Sequence, residues 1–324
     1  MRVDPAKTKL LAQAKHGSPL IGCRWSPDGA AVAASAQDNS VLLWSADLKA
    51  KTVLGGHKSW VRAISFAGDL LLTADWTGRI IARTWRGTPG ERWSVAAHKG
   101  WCRALALSPD GKTLASCGND HLVKLWSLPD GKHLSTLEGH ESHTYNVAFH
   151  PSGKALASAD LKGNVKHWAL PDGTEKRTLD AKILHKYDAG FGADIGGVRS
   201  MAFDAAGKRL ACAGITNVTN AFAGIGNPLI VLLDWETGKP SLLRPRAAFN
   251  GTMWGTTFHP SGFVLGAAGG NGGVLWSWEG ADLLSKTTTP LPGNARDLSL
   301  HPDGRRLAIP FNDGSVRVYE MATR

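Results

Sequence analysis

HKSWVRAISF (57–66) returns 41 residues later as HKGWCRALAL (98–107), and 42 residues beyond that the frame opens again at His140 as HESHTYNVAF. In each copy a histidine and a short polar stretch lead into alternating apolar residues that end on an aromatic or aliphatic side chain. Alternation with a period of two sets one face of a strand in a core. Each copy continues through a turn and second strand such as SPDGKTLAS (108–116) into a polar turn and third strand such as GNDHLVKLW (118–126). Asp-Gly and Ser-Gly turns, with β-branched residues between them, favour strands over helices.

Anchoring on the end of each first strand gives Trp25, Phe66, Leu107, Phe149, Phe203, Phe258 and Leu300. The matching third strands read VLLW, IIAR, VKLW, VKHW, IVLL, GVLW and VRVY. With this period, and with tryptophan closing several third strands, the chain resembles the WD-repeat β-propeller family, whose units carry Gly-His near the start and Trp near the end. The resemblance covers essentially the whole chain. It implies an all-β fold, a seven-bladed β-propeller of four-stranded antiparallel blades, as one domain over residues 1–324.

A lone blade exposes apolar faces, whereas a closed ring buries them and leaves little free sheet edge. The final repeat stops at VRVYEMATR, just after its third strand. The N-terminal stretch KTKLLAQA (7–14) is therefore expected to supply the outer strand of the last blade, the closure typical of the family.

The composition, 43% hydrophobic and 20% charged, allows a large core. Neither a secretory signal nor an unbroken apolar span is present in the sequence, which reads as soluble and cytoplasmic, with no membrane association and a monomeric fold. Cys23, Cys102, Cys117 and Cys212 lie in separate apolar contexts without a CxxC pair, so reduced buried thiols are expected and no metal or cofactor is indicated. The formal charge of +10 and a pI near 9.6 point to anionic partners.

The resemblance also implies a hydrogen-bond network of His, Ser or Thr, Asp and Trp within a blade. The third repeat carries all four as His98, Ser116, Asp120 and Trp126. The first keeps His16, Asp38 and Trp44 but has Ala34 at the serine position; the fourth keeps His140, Ser158 and Trp168 but has Lys162 at the Asp position. A His, Ser and Asp set also has the make-up of a hydrolase triad. With no G-x-S-x-G elbow, HExxH helix or P-loop, the structural reading is preferred and no catalytic residue is assigned. The carboxylates of SPDG and HPDG are assigned to turns.

Anchor intervals are 41, 41, 42, 54, 55 and 42, so two are long. The first excess falls in KILHKYDAGFGADIGG (182–197), the second in GITNVTNAFAGIGNP (214–228). Both open on the same rim. Their glycines and aromatics, Tyr187, Phe191 and Phe222, predict loops that pack on each other as a raised lip, or else a patch over an imperfect blade.

Four residues before each anchor stand Ile21, Arg62, Arg103, Tyr145, Arg199, Trp254 and Arg296. Blade symmetry sets these near the top mouth of the central channel, with Trp60, Trp101 and His143 just before three of them. Arginine and tryptophan are favoured at interface hot spots, and a guanidinium clamps a carboxylate through two hydrogen bonds. The leading expectation is a noncatalytic scaffold that binds a protein or peptide, of acidic character, on this face. The alternatives are nucleic-acid binding through the basic surface, not favoured in the absence of RNA-binding motifs, and an enzyme with a fifth-blade pocket, for which His185, Lys186, Asp188 and Asp194 are the nearby candidates.

Overall fold

The computed structural model describes residues 3–220 and 225–323. Seven four-stranded antiparallel sheets follow one another along the chain, and no α-helix occurs among the described residues. The third blade is representative: Cys102–Leu107, Thr113–Gly118, Val123–Ser127 and His133–Leu137 pair in sequence order. Inner strands of the others are Leu20–Trp25, Val61–Ala67, Thr144–Phe149, Ser200–Phe203, Gly251–Phe258 and Ser299–Leu300. The all-β, seven-bladed expectation therefore describes the molecule.

The core is divided into seven apolar clusters, each drawn from two adjacent blades. Between the third and fourth, for instance, Ala115, Cys117, Val123 and Leu125 meet Val147, Leu156 and Trp168. Each fully buried Leu, Val or Ile contributes roughly 1.5–3 kcal/mol, so a blade is stable only between two neighbours. The ring closes where Ala308, Val316 and Val318 of the last blade pack on Leu20 and Trp44 of the first. At this seam Val3–Lys15 pairs antiparallel with Ser315–Thr323, from Val3↔Thr323 to Lys15↔Ser315. The predicted 7–14 segment lies within that strand.

Turn chemistry follows the sequence reading. In the first SPDG, Ser26 Oγ donates to Asp28 Oδ1 at 2.6 Å, and Gly29 takes φ 71°. At Gly78, φ is 86° and an added Cβ would sit 2.0 Å from the His98 carbonyl oxygen, so only glycine lets this turn touch the next blade's loop.

In the third blade His98 is hydrogen-bonded to Asp120 at 2.8 Å and to Ser116 at 2.7 Å, and Trp126 Nε1 donates to Ser116 Oγ at 2.8 Å. The fourth blade corrects the expectation that Lys162 interrupts its network. Asp160, two residues after Ser158, takes the aspartate role and bonds His140 at 3.1 Å, while Ser158 joins His140 at 2.6 Å and Trp168 at 2.7 Å. The second blade does the same: His57 meets Asp75 at 2.8 Å and Thr73 at 2.7 Å. A carboxylate at the end of the second strand reaches the same imidazole as one in the following turn, and a fixed spacing misses it. In the first blade, with Ala34 in place of serine, Asp38 engages His16 through Nε2 at 2.6 Å.

Burial pushes the Asp75 carboxyl up, but hydrogen bonds from His57 and Thr77 outweigh it and hold it down at about 2. A folded-state value below the unfolded one, about 3.9, stabilises the fold above about pH 4 and ceases to do so as pH falls toward 2. The stability gap between wild type and Asp75→Asn, measured by urea unfolding, should accordingly be widest at neutral pH and shrink through that window. A gap independent of pH would assign Asp75 no ionised role.

Candidate functional site at the channel mouth

Five inner strands carry a register shift near their start, at Leu20/Gly22, Val61/Ala63, Cys102/Ala104, Thr144/Asn146 and Met253/Gly255. The residue skipped in each case is Ile21, Arg62, Arg103, Tyr145 or Trp254. A bulge leaves one residue outside the ladder and re-aims its side chain. Arg199 and Arg296 reach the same level from just before their strands, bonded through their amides to Ala213 and Pro310.

All of these except Tyr145 line a cavity of about 330 Å³ together with Pro19, Leu20, Gln37, Trp60, Trp76 and Trp101. Their rings and guanidiniums interleave. Trp76 lies 4.6 Å from Trp60 and stacks on Trp101 at 3.6 Å, with 7° between planes. The Arg103 Cζ then sits 4.4 Å from the Trp101 ring centre and 4.0 Å from that of Tyr145. Arg199 follows at 4.9 Å from Tyr145 and 5.5 Å from Trp254, and Arg296 at 5.0 Å from Trp254. Ring faces attract cations, so this alternation offsets the repulsion expected among convergent arginines.

No ion pair among the described residues involves Arg62, Arg103, Arg199 or Arg296. Arg103 Nε donates to Asn119 at 2.7 Å, and Arg62 Nη1 to the Ile21 carbonyl at 3.3 Å. Arg199 Nε is buried without a hydrogen-bond partner. Burial lowers the Arg62, Arg103 and Arg296 pKa values, that of Arg103 to about 10; the Asp297 carboxylate opposes this at Arg62, and neighbouring guanidiniums add to it at Arg62 and Arg103. All stay cationic at neutral pH. One level down, Arg24 is paired with Asp297 at 2.7 Å and has its pKa raised by that carboxylate.

Three stretches of the chain, 8–45, 91–127 and 131–169, match the WD domain, G-beta repeat family. The remaining repeats build blades of the same strand order. The chain belongs to the WD-repeat β-propeller family. Among its relatives are apoptotic protease-activating factor 1 of Homo sapiens, 32% identical over 37% of this chain and 10% of that protein; cell division cycle 20.1, cofactor of APC complex, of Arabidopsis thaliana, 29% identical over 43% and 32%; and polyadenylation factor subunit 2 of Candida albicans, 24% identical over 35% and 21%. The matches thus span about a tenth to a third of those proteins.

In this WD-repeat propeller the fifth-blade extras form two contacting hairpins. His185–Asp188 pairs with Ala193–Gly196, and the Lys186 Nζ donates to the Val218 carbonyl at 2.7 Å on the prolonged hairpin of Arg209–Asn220 and Ile225–Asp234. The expected packing of the two is present. Tyr187 and Phe191 are exposed and outside the lining of the mouth, and Phe222 lies outside the described residues. His185 and Asp194 bond each other at 2.7 Å across the first hairpin, and Asp188 accepts from the Gly190 amide. The four residues named as candidates for an enzyme site thus bond within this hairpin or, through Lys186, to its neighbour. His143 bonds the Asn119 carbonyl at 2.8 Å.

Four lining residues were absent from the sequence reading: Pro19 and Leu20 at the entry to the first inner strand, and, in turns, Trp76 and Gln37. The last two occupy the turn between second and third strands, where their amides bond the Trp60 and Pro19 carbonyls. The signal was present as one out-of-place tryptophan in a turn, ADWTG, but its neighbours are set by ring closure.

Proposed function

We propose that this WD-repeat propeller is a noncatalytic interaction platform whose channel mouth receives carboxylate groups of a protein partner. The observation that carries this reading is the set of four half-buried guanidiniums at one mouth, three of them over aromatic rings, none of which forms an ion pair among the described residues. An anion arriving there meets donors already oriented and partly desolvated, where a charged hydrogen bond contributes roughly 1.5–3 kcal/mol. Two relatives carry names of assembly components, a cofactor of the APC complex and a polyadenylation factor subunit, in keeping with a platform.

Arg62 and Arg199 line both the mouth and the small cavity that shares its arginines, so Arg62→Ala with Arg199→Ala tests the reading. The double variant should keep or slightly raise the wild-type Tm, because an unpaired, desolvated cation is removed. Its affinity for a labelled acidic peptide should fall at least tenfold, and wild-type affinity should fall with added salt. Equal affinities, or a marked loss of Tm, would make these arginines internal braces.

A further inference from the structure

We infer that the mouth takes the free carboxyl terminus of a partner chain, entering end-on with an apolar last side chain. This rests on the mouth being an anion site, and adds which anion it fits.

The first reason is shape. Arg62, Arg103 and Arg199 line both the 330 Å³ mouth and a cavity of only about 80 Å³ beneath it, where Arg24 and Asp297 form their pair. The mouth is thus a cup with guanidiniums toward its floor. A volume near the lower end of ligand pockets, about 300 Å³, suits a chain end and not a segment that must enter and leave.

The second reason is the wall. Pro19 and Ile21, with the tryptophans of the second and third blades, give one side of the cup an apolar surface. An acidic side chain alone would leave that surface uncovered. A terminal residue carries its carboxylate and its side chain on the same Cα, so one residue satisfies both floor and wall. Gln37, the single neutral amide of the lining, remains to meet the main chain behind it.

The third reason is what the rings are already doing. Trp76 and Trp101 are stacked on each other, Tyr145 is contacted by Arg103 and Arg199, and Trp254 by Arg199 and Arg296. With their faces engaged by neighbours, these rings are poor platforms for stacking a nucleobase or for caging a cationic ligand. What the arc has left to offer is guanidinium N–H groups, and those suit a carboxylate.

The test uses the full chain, immobilised, and octapeptides randomised at their last four positions, with either free or amidated carboxyl termini. Retention is read by mass spectrometry, and affinities of recovered peptides by fluorescence anisotropy. The free-acid pool should be retained, enriched in an apolar last residue, and amidation of a recovered peptide should weaken it at least tenfold. Arg62→Ala with Arg199→Ala should abolish the enrichment. If amidated peptides with an internal Glu or Asp bind as tightly and depend on the same arginines, the anion site stands and the terminal assignment falls. If neither pool is retained, both readings fail, and retention of a mononucleotide at the same arginines would replace the terminus with a nucleic-acid ligand.

Discussion

Removal of residues 1–14 should lower Tm by about 10 °C or more, with a roughly 2 °C shift expected per kcal/mol in a large domain. Val3 is buried in the cluster between the last two blades, and Ala12 and Ala14 pack against the seam with the first. Their strand is also, among the described residues, the only partner of the outer edge of Ser315–Thr323, so its loss exposes a ladder of backbone donors and acceptors beside buried Tyr319 and Met321. Differential scanning calorimetry would follow the change. The control is Leu10→Ser with Leu11→Ser in the same strand, about half exposed at 47% and 51%, which should stay within a few degrees of wild type. An unchanged transition on deletion would show that the ring holds without its seam strand.

Ser158→Ala should cost about 2–5 kcal/mol, because one hydroxyl serves two buried partners, His140 and Trp168, and each polar group left unpaired costs roughly 1–3 kcal/mol. Urea unfolding of the two proteins gives the number. The sixth blade holds the converse. Register places Ala268 opposite Val274, as Ser116 is opposite Lys124, and the Trp276 Nε1 is buried without a partner. Ala268→Ser should therefore supply the missing acceptor and raise stability by about 1 kcal/mol. A loss below 1 kcal/mol in Ser158→Ala would mean that the imidazole and indole find other partners, and that the network is redundant.

Much of the candidate site was legible because blade symmetry carries over to the channel. Arg62, Arg103, Arg199 and Arg296 recur at one offset from the strand anchors, and that offset proved to be the bulge position in five blades and the strand entry in the other two. What the offset could not show was the neighbours. Arg103 lies between Trp101 of its own repeat and Tyr145 of the next blade, and no residue within its own repeat foretells Tyr145. The same limit hid Asp160. Its distance along the chain from Ser158 differs from that of Asp120 from Ser116, yet both carboxylates reach a histidine, because hydrogen bonds are decided by atoms within 3 Å or so and not by spacing.

By itself, then, the sequence determined the strand pattern, the count of seven repeats and the place of both fifth-blade extras, which follow from local alternation, turn chemistry and period, while the N-terminal closing strand followed from the family resemblance those repeats carry. Only the tertiary structure decided that Tyr187 and Phe191 stand apart from the mouth, that Trp76 joins Trp60 and Trp101 in one stack, and that ring and guanidinium alternate from the third blade to the seventh. Apart from the Trp60–Trp76 contact inside the second blade and the Trp101–Arg103 contact inside the third, those contacts join residues from different blades. Their distances are set by how blades pack and where bulges turn a side chain out of its ladder, and neither quantity is written in any single repeat.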